Sequence, residues 1–73
     1  MAAFSESDLE KLKATESCMF CDLTGADLSD TTLIKENLEQ TDLRVANLTG
    51  TNLTGTIFCE TKMPDGTKNN AGC

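Results

Sequence analysis

Residues 21–60 read CDLTG ADLSD TTLIK ENLEQ TDLRV ANLTG TNLTG TIFCE, an unbroken run of five-residue blocks. The middle residues form one series: Leu23, Leu28, Leu33, Leu38, Leu43, Leu48, Leu53 and Phe58. A period of five suits neither regular element. A helix advances about 100° per residue, so a step of five rotates about 140° and scatters the leucines round its surface. A strand has period two, so the same step turns alternate leucines to opposite faces. One interior serves them all only if the chain changes direction once per block. Short flat segments joined by corners meet that condition, and a short fixed period is the mark of a repeat architecture.

The flanking columns agree. Two places before each ladder residue stand Cys21, Ala26, Thr31, Thr41, Ala46, Thr51 and Thr56, all small, with Glu36 the exception. A small residue beside a large one suits a narrow core whose layers interlock. One place before the ladder, Asp22, Asp27, Asn37, Asp42, Asn47 and Asn52 are types that bond nearby backbone and favour turns. Two places after it, Gly25, Gly50 and Gly55 point to corners with positive φ. Val45 shares that column but resists that geometry, so more than one kind of corner is expected. Ile34, Val45 and Ile57 are apolar residues in outward columns and make at most a small surface patch.

CDLTG at 21–25, ADLSD at 26–30, ANLTG at 46–50 and TNLTG at 51–55 resemble the A(D/N)LXX units of pentapeptide-repeat proteins. The likeness runs through every block from Cys21 to Glu60, over half the chain. It implies an all-β solenoid, a right-handed quadrilateral β-helix with four pentapeptides per coil. The central Leu or Phe and the small residue before it would point inward. About two coils would form, stacking Leu23 on Leu43, Leu28 on Leu48, Leu33 on Leu53 and Leu38 on Phe58.

The remainder of the chain has two ends to close. Seventy-three residues make a single domain that buries only about 60% of its unfolded surface. Cores this small are usually stapled. Three segments follow from the pattern: an N-terminal tail and capping helix over 1–20, the repeats over 21–60 and a C-terminal cap over 61–73. Phe4 to Glu16 reads as a short helix, with Ser5 as N-cap, Asp8 at the capping-box position and Phe4 and Leu9 placed as a hydrophobic staple. Its narrow stripe of Leu9 and Leu12 would dock on an open coil end. At the other end, Met63-Pro64-Asp65-Gly66 reads as a tight turn or hairpin, with Pro64 in the second position and Met63 near the next ladder place.

Cys18-Met-Phe-Cys21 admits three readings: a redox pair, half of a zinc site completed by Cys59 and Cys73, or a local structural disulfide. No βαβ pattern surrounds it, and Cys59 and Cys73 are far apart for a zinc knuckle. The structural disulfide is therefore preferred. CxxCDL is similar to the opening of some exported pentapeptide-repeat proteins of photosynthetic organisms. FCETKMPDGTKNNAGC resembles the tail of many cyanobacterial and plastid members, with a Cys after the last Phe and a closing Gly-Cys. Of the three pairings that four cysteines permit, this resemblance implies Cys18–Cys21 with Cys59–Cys73. Such bonds favour an oxidising compartment, a periplasm or thylakoid lumen reached as a mature fragment, over the alternative of the cytoplasm. No apolar segment of signal-peptide or membrane-spanning type is present.

Glu36 breaks the small column, and burying an unpaired carboxylate costs several kcal/mol. The preferred reading is a distorted corner that lets it reach solvent. Burial beside Lys35 or Arg44, or a functional role, are the alternatives.

The chain has no His, Tyr or Trp, no placed general base and no phosphate loop, and its acids fall mostly in outward columns. No catalytic residue, cofactor or metal site is expected, and the chain reads as a non-enzyme. Its net charge of −6 argues against binding nucleic acid or anionic membrane. The expected function is a rigid scaffold or protein-interaction module with an unidentified protein partner, as a monomer or weak oligomer. One alternative is an acidic DNA mimic directed at a DNA-handling protein such as gyrase, as some pentapeptide-repeat proteins are, although two coils are short for it. A second is thiol redox sensing through Cys18 and Cys21.

Overall fold

The structure, a computed structural model, describes residues 4–15 and 17–73. In the last block Phe58 O takes the Gly72 N–H; every other block closes with the same turn. The N–H of its successor's first residue donates back to the ladder carbonyl: Ala26 to Leu23 at 3.1 Å, Thr41 to Leu38 at 3.0 Å, Ala46 to Leu43 at 3.0 Å. The third residue of every such turn has positive φ, as a type II turn requires. Gly25, Gly50 and Gly55 lie at 72–73° and Asp30, Lys35, Gln40 and Val45 between 56° and 62°, and Glu60, in the last and open corner, lies at 53°. Val45, at 62°, therefore shares the corner that it was expected to escape. Its side chain points to solvent and is 69% exposed, so only local backbone strain opposes the geometry. Two bonds hold it there. Val45 N–H donates to Pro64 O at 3.1 Å, and Ala46 N–H closes the turn.

Four such turns bring the chain back beside itself. Parallel bridges join residues twenty apart: Ser17 with Asn37, Asp22 with Asp42, Asp27 with Asn47, Thr32 with Asn52, Asn37 with Ile57 and Asp42 with Lys62. Between layers the ladder residues donate outward, as in Leu23 N–H to Asp42 O at 2.9 Å and Leu33 N–H to Asn52 O at 2.8 Å. The flanking residues answer, as in Asp42 N–H to Cys21 O at 2.9 Å and Asn52 N–H to Thr31 O at 2.9 Å. Each segment is too short for a regular strand, so the bridges stand singly. Regular structure among the described residues is one helix, α1 (Glu6–Ala14), and an antiparallel pair, β1 (Thr61–Lys62) and β2 (Lys68–Asn69).

The interior follows the ladder. Leu23, Leu28, Leu33, Leu38, Leu43 and Phe58 are buried with Cys21, Ala26, Thr41 and Ala46. Leu48 and Leu53 pack against them but are half-buried, as are Thr31, Thr51 and Thr56. The cause is unequal height. On the sides of Leu38 and Leu43 the bridges link three layers, through Ser17, Asn37 and Ile57 and through Asp22, Asp42 and Lys62. On the sides of Leu28 and Leu33 they link two.

A buried threonine needs a hydroxyl partner, and the inward column supplies one. Thr51 Oγ1 donates to Leu28 O at 2.7 Å, Thr56 Oγ1 to Leu33 O at 2.7 Å and Thr61 Oγ1 to Leu38 O at 2.6 Å. Thr41 donates likewise to Cys18 O. Each hydroxyl thus reaches the ladder carbonyl one layer back.

Replacing Val45 by glycine removes the left-handed strain of a β-branched residue, which costs about 1–3 kcal/mol. It adds backbone entropy cost of about 0.5–1 kcal/mol. The Val45→Gly variant is expected to raise the denaturant midpoint. A lowered midpoint would show that the corner holds Val45 without strain.

Candidate functional site

At the N-terminal end, α1 lies against the edge of the first layer. Ser5 caps the helix, its hydroxyl accepting from Asp8 N–H at 3.3 Å. The Asp8 carboxylate does not turn back to Ser5 as a capping box would. Its Oδ2 accepts the N–H of Asp22 at 2.8 Å, while Ser5 N–H donates to Asp22 O at 3.0 Å. The edge segment that has Asp42 on one side therefore has the helix start on the other. Phe4 and Leu9 pack on the core and Leu12 is buried in it. The helix ends at Ala14, two residues earlier than the pattern suggested, with Thr15 extended as C-cap; Glu16 lies outside the described residues.

Cys18 and Cys21 form a disulfide with Cα atoms 5.4 Å apart. Both sulfurs face inward, the residues being 0% and 3% exposed. Cys18 N–H donates to Asn37 O at 2.8 Å, so Cys18 occupies a ladder place one block before Leu23. At the other end Asp42 pairs with Lys62, which puts Met63 in the ladder place after Phe58. Met63 is thus where the ladder count placed it, while Cys18, without the Leu or Phe of the repeat, was not counted in the ladder.

The C-terminal segment closes the opposite end. Met63 to Gly66 form the turn, with Gly66 N–H to Met63 O at 2.9 Å, and β2 returns beside β1. Asn70 Oδ1 accepts Glu60 N–H at 2.7 Å, and Gly72 N–H donates to Phe58 O at 2.5 Å. Cys59 and Cys73 are joined, with Cα atoms 5.0 Å apart. Cys59 follows a ladder residue and so belongs to an outward column, half-buried, and Cys73 is exposed. No cysteine is free, so no thiol is left to ligate a metal.

Glu36 does not reach solvent. It is 4% exposed, and its corner is regular: Glu36 N–H donates to Leu33 O at 3.2 Å and Ile57 N–H to Glu36 O at 2.9 Å. With the turn intact, the side chain follows its column inward. Arg44 is committed elsewhere, to Asp42 at 2.6 Å, and Lys35 stands exposed at its corner. Glu36 also lines a groove of about 550 Å³ between the end of α1 and the Leu28 and Leu33 layer, with Leu12, Lys13, Thr32 and Ile34.

The outward carboxylates and side-chain amides are used by their own backbone. Asp22, Asp27, Asn37, Asp42, Asn47 and Asn52 each accept, through Oδ1, the N–H two residues on, at 3.0–3.2 Å. Hydrogen bonds from the Ser29 hydroxyl and N–H hold the Asp27 carboxyl below its usual 3.8, and those from Thr67 do the same for Asp65. Asp42 is lowered chiefly by the Arg44 guanidinium, against the opposing effect of burial. Among the described residues no group of His, Cys, Asp and Glu is arranged to hold a metal ion. No helix among them is long and apolar enough to cross a membrane.

A chain that stacks on itself every twenty residues through five-residue blocks is a repeat protein. The sequence signature of pentapeptide repeats matches residues 21–58 in eight copies, and the chain belongs to the pentapeptide-repeat family. Comparison with curated proteins and with solved structures found no match. Membership carries the coarse reading of the family, a repeat scaffold or interaction module, generally non-enzymatic. The two disulfides are consistent with an oxidising compartment.

Two outcomes follow from this geometry. Asp27, Asp42 and Asp65 have folded pKa values below their unfolded ones, so their contribution is present above about pH 4 and lost as pH falls through the folded values. Thermal midpoints should be level from pH 7 to 5 and fall towards pH 2. Asp27→Asn keeps the Oδ1 acceptor and should lessen the fall. The second outcome concerns Gly72, where a Cβ would lie 2.9 Å from Phe58 N and 2.5 Å from Ile57 Cγ2. Gly72→Ala should destabilise by about 1–3 kcal/mol, as overpacking does, with faster amide exchange at Glu60.

Proposed function

We propose that the protein is a non-enzymatic scaffold that presents flat faces to a protein partner. The observation that carries this reading is how the polar groups are spent. The outward Asp and Asn carbonyls bond their own backbone, the inward hydroxyls bond the next layer, and all four cysteines are paired. What remains outside is a rigid surface bearing scattered apolar points: Phe20, Ile34, Val45 and Ile57. The twenty-residue bridges, with four turns per return, support a quadrilateral β-helix as its frame, with the right hand that the family likeness implies. On this reading residues 1–20 and 61–73 are the caps of one domain whose repeats occupy 21–60. The paired cysteines favour a periplasm or thylakoid lumen.

The DNA-mimic alternative is less well supported. The molecule measures 29 × 25 × 22 Å, shorter in every direction than one turn of B-DNA, about 34 Å. Redox sensing through Cys18 and Cys21 is disfavoured by their burial.

Crosslinking mass spectrometry in extract of the source cells tests the scaffold reading. A partner should be crosslinked to the wild type and lost in Ile34→Asp or Val45→Asp variants that melt as the wild type does. Crosslinks indifferent to both changes, or inhibition of gyrase supercoiling at micromolar concentration, would overturn it.

A further inference from the structure

The two disulfides occupy different columns of the repeat, and that difference sets their chemistry apart. Cys18 stands in the ladder and Cys21 in the small column, so their bond is sealed inside the stack. Cys59 stands in the outward column and reaches Cys73 across the surface. Thiol–disulfide exchange requires a thiolate to reach a sulfur, so rates follow access. We propose that Cys59–Cys73 is a redox-operated latch: a dithiol reductant opens it while Cys18–Cys21 stays closed, and residues 70–73 then leave the Phe58 end of the stack.

In the exchange, a thiolate of the reductant attacks Cys73 Sγ, the S–S bond breaks and Cys59 leaves as thiolate. The reductant's second thiol then displaces Cys73 from the mixed disulfide. The reductant departs as a cyclic disulfide, and its two protons end on Cys59 and Cys73. Two electrons pass to the protein.

The consequence is local because of how the segment is held. Among the described residues it meets the stack through Gly72 N–H on Phe58 O and Asn70 Oδ1 on Glu60 N–H. None of the parallel bridges between layers involves residues 70–73. Cys18, by contrast, is tied into the stack, donating to Asn37 O and accepting from the Thr41 hydroxyl. Opening the latch uncovers the Phe58 carbonyl and the Glu60 N–H as a fresh edge and leaves the layers in place.

The test titrates the whole protein with dithiothreitol, quenches with N-ethylmaleimide, and reads each cysteine by peptide mass and each amide by hydrogen exchange. Cys59 and Cys73 should be labelled at least about tenfold faster than Cys18 and Cys21. In the half-reduced protein, exchange at Glu60 and Gly72 should rise about tenfold or more, with Leu28, Leu33 and Leu38 unchanged. A Cys59→Ser/Cys73→Ser variant should show that exchange pattern without reductant. Labelling of all four cysteines together, labelling of Cys18 and Cys21 first, or undiminished protection of Glu60 and Gly72 after reduction would each overturn the proposal.

Discussion

Where a threonine stands one layer on, as for Leu33 and Leu38, the carbonyl oxygen of the inward leucine is the junction on which the layers depend. It has two lone pairs and two claims on them. One bond comes from the N–H that closes its own turn, as Thr41 N–H does on Leu38 O. The other comes from a threonine hydroxyl one layer on, as Thr61 Oγ1 does on the same oxygen. The corner and the stack are therefore fixed by one atom. An alanine in the small column leaves the second position to the surrounding packing, and a threonine fills it without burying an unmet hydroxyl. The column can thus hold two residue types of unlike polarity with one geometry.

The ends of the stack reuse backbone logic with side chains. Asp22 has its N–H taken by the Asp8 carboxylate and its C=O by Ser5 N–H, which is how a neighbouring strand would treat it. Glu60 N–H is met by the Asn70 amide oxygen in the same spirit. An open edge invites pairing with another chain, and both terminal segments place a polar side chain where that pairing would begin. Two sides are less protected, since the bridges there link only two layers and Leu48 and Leu53 remain half-buried.

Much of this was legible from five-residue spacing alone, because a period that fits neither helix nor strand leaves few solutions. The ladder, the inward threonines and the Asp and Asn column are each visible as letters. What escaped notice did so for identifiable reasons. Cys18 stands in a ladder place without looking like the repeat, and only its backbone bond to Asn37 assigns it, whereas Met63 lies where the ladder count put it. Val45 argued for a second corner on local preference, but the bonds of the stack outweigh one strained residue. Glu36 was expected to escape because of its charge. The corner's two regular hydrogen bonds fix the direction of its Cβ whatever the side chain is. The capping-box reading of Asp8 was chemically sound, but tertiary structure offered its carboxylate another donor, the Asp22 N–H.

The uniform twenty-residue offset also bears on how the chain folds. Every bridge closes a loop of the same length, from Ser17 and Asn37 at one end to Asp42 and Lys62 at the other. The entropic cost of closure is then nearly equal at each step, since it depends on loop length only logarithmically. No single contact is favoured as the start. Both disulfides span fewer residues than a layer, three and fourteen in sequence. Cys18–Cys21 trims only the Ser17–Asn37 loop, by a few residues, and Cys59–Cys73 lies inside none of them, so the order in which layers assemble is left to the leucines and their carbonyls.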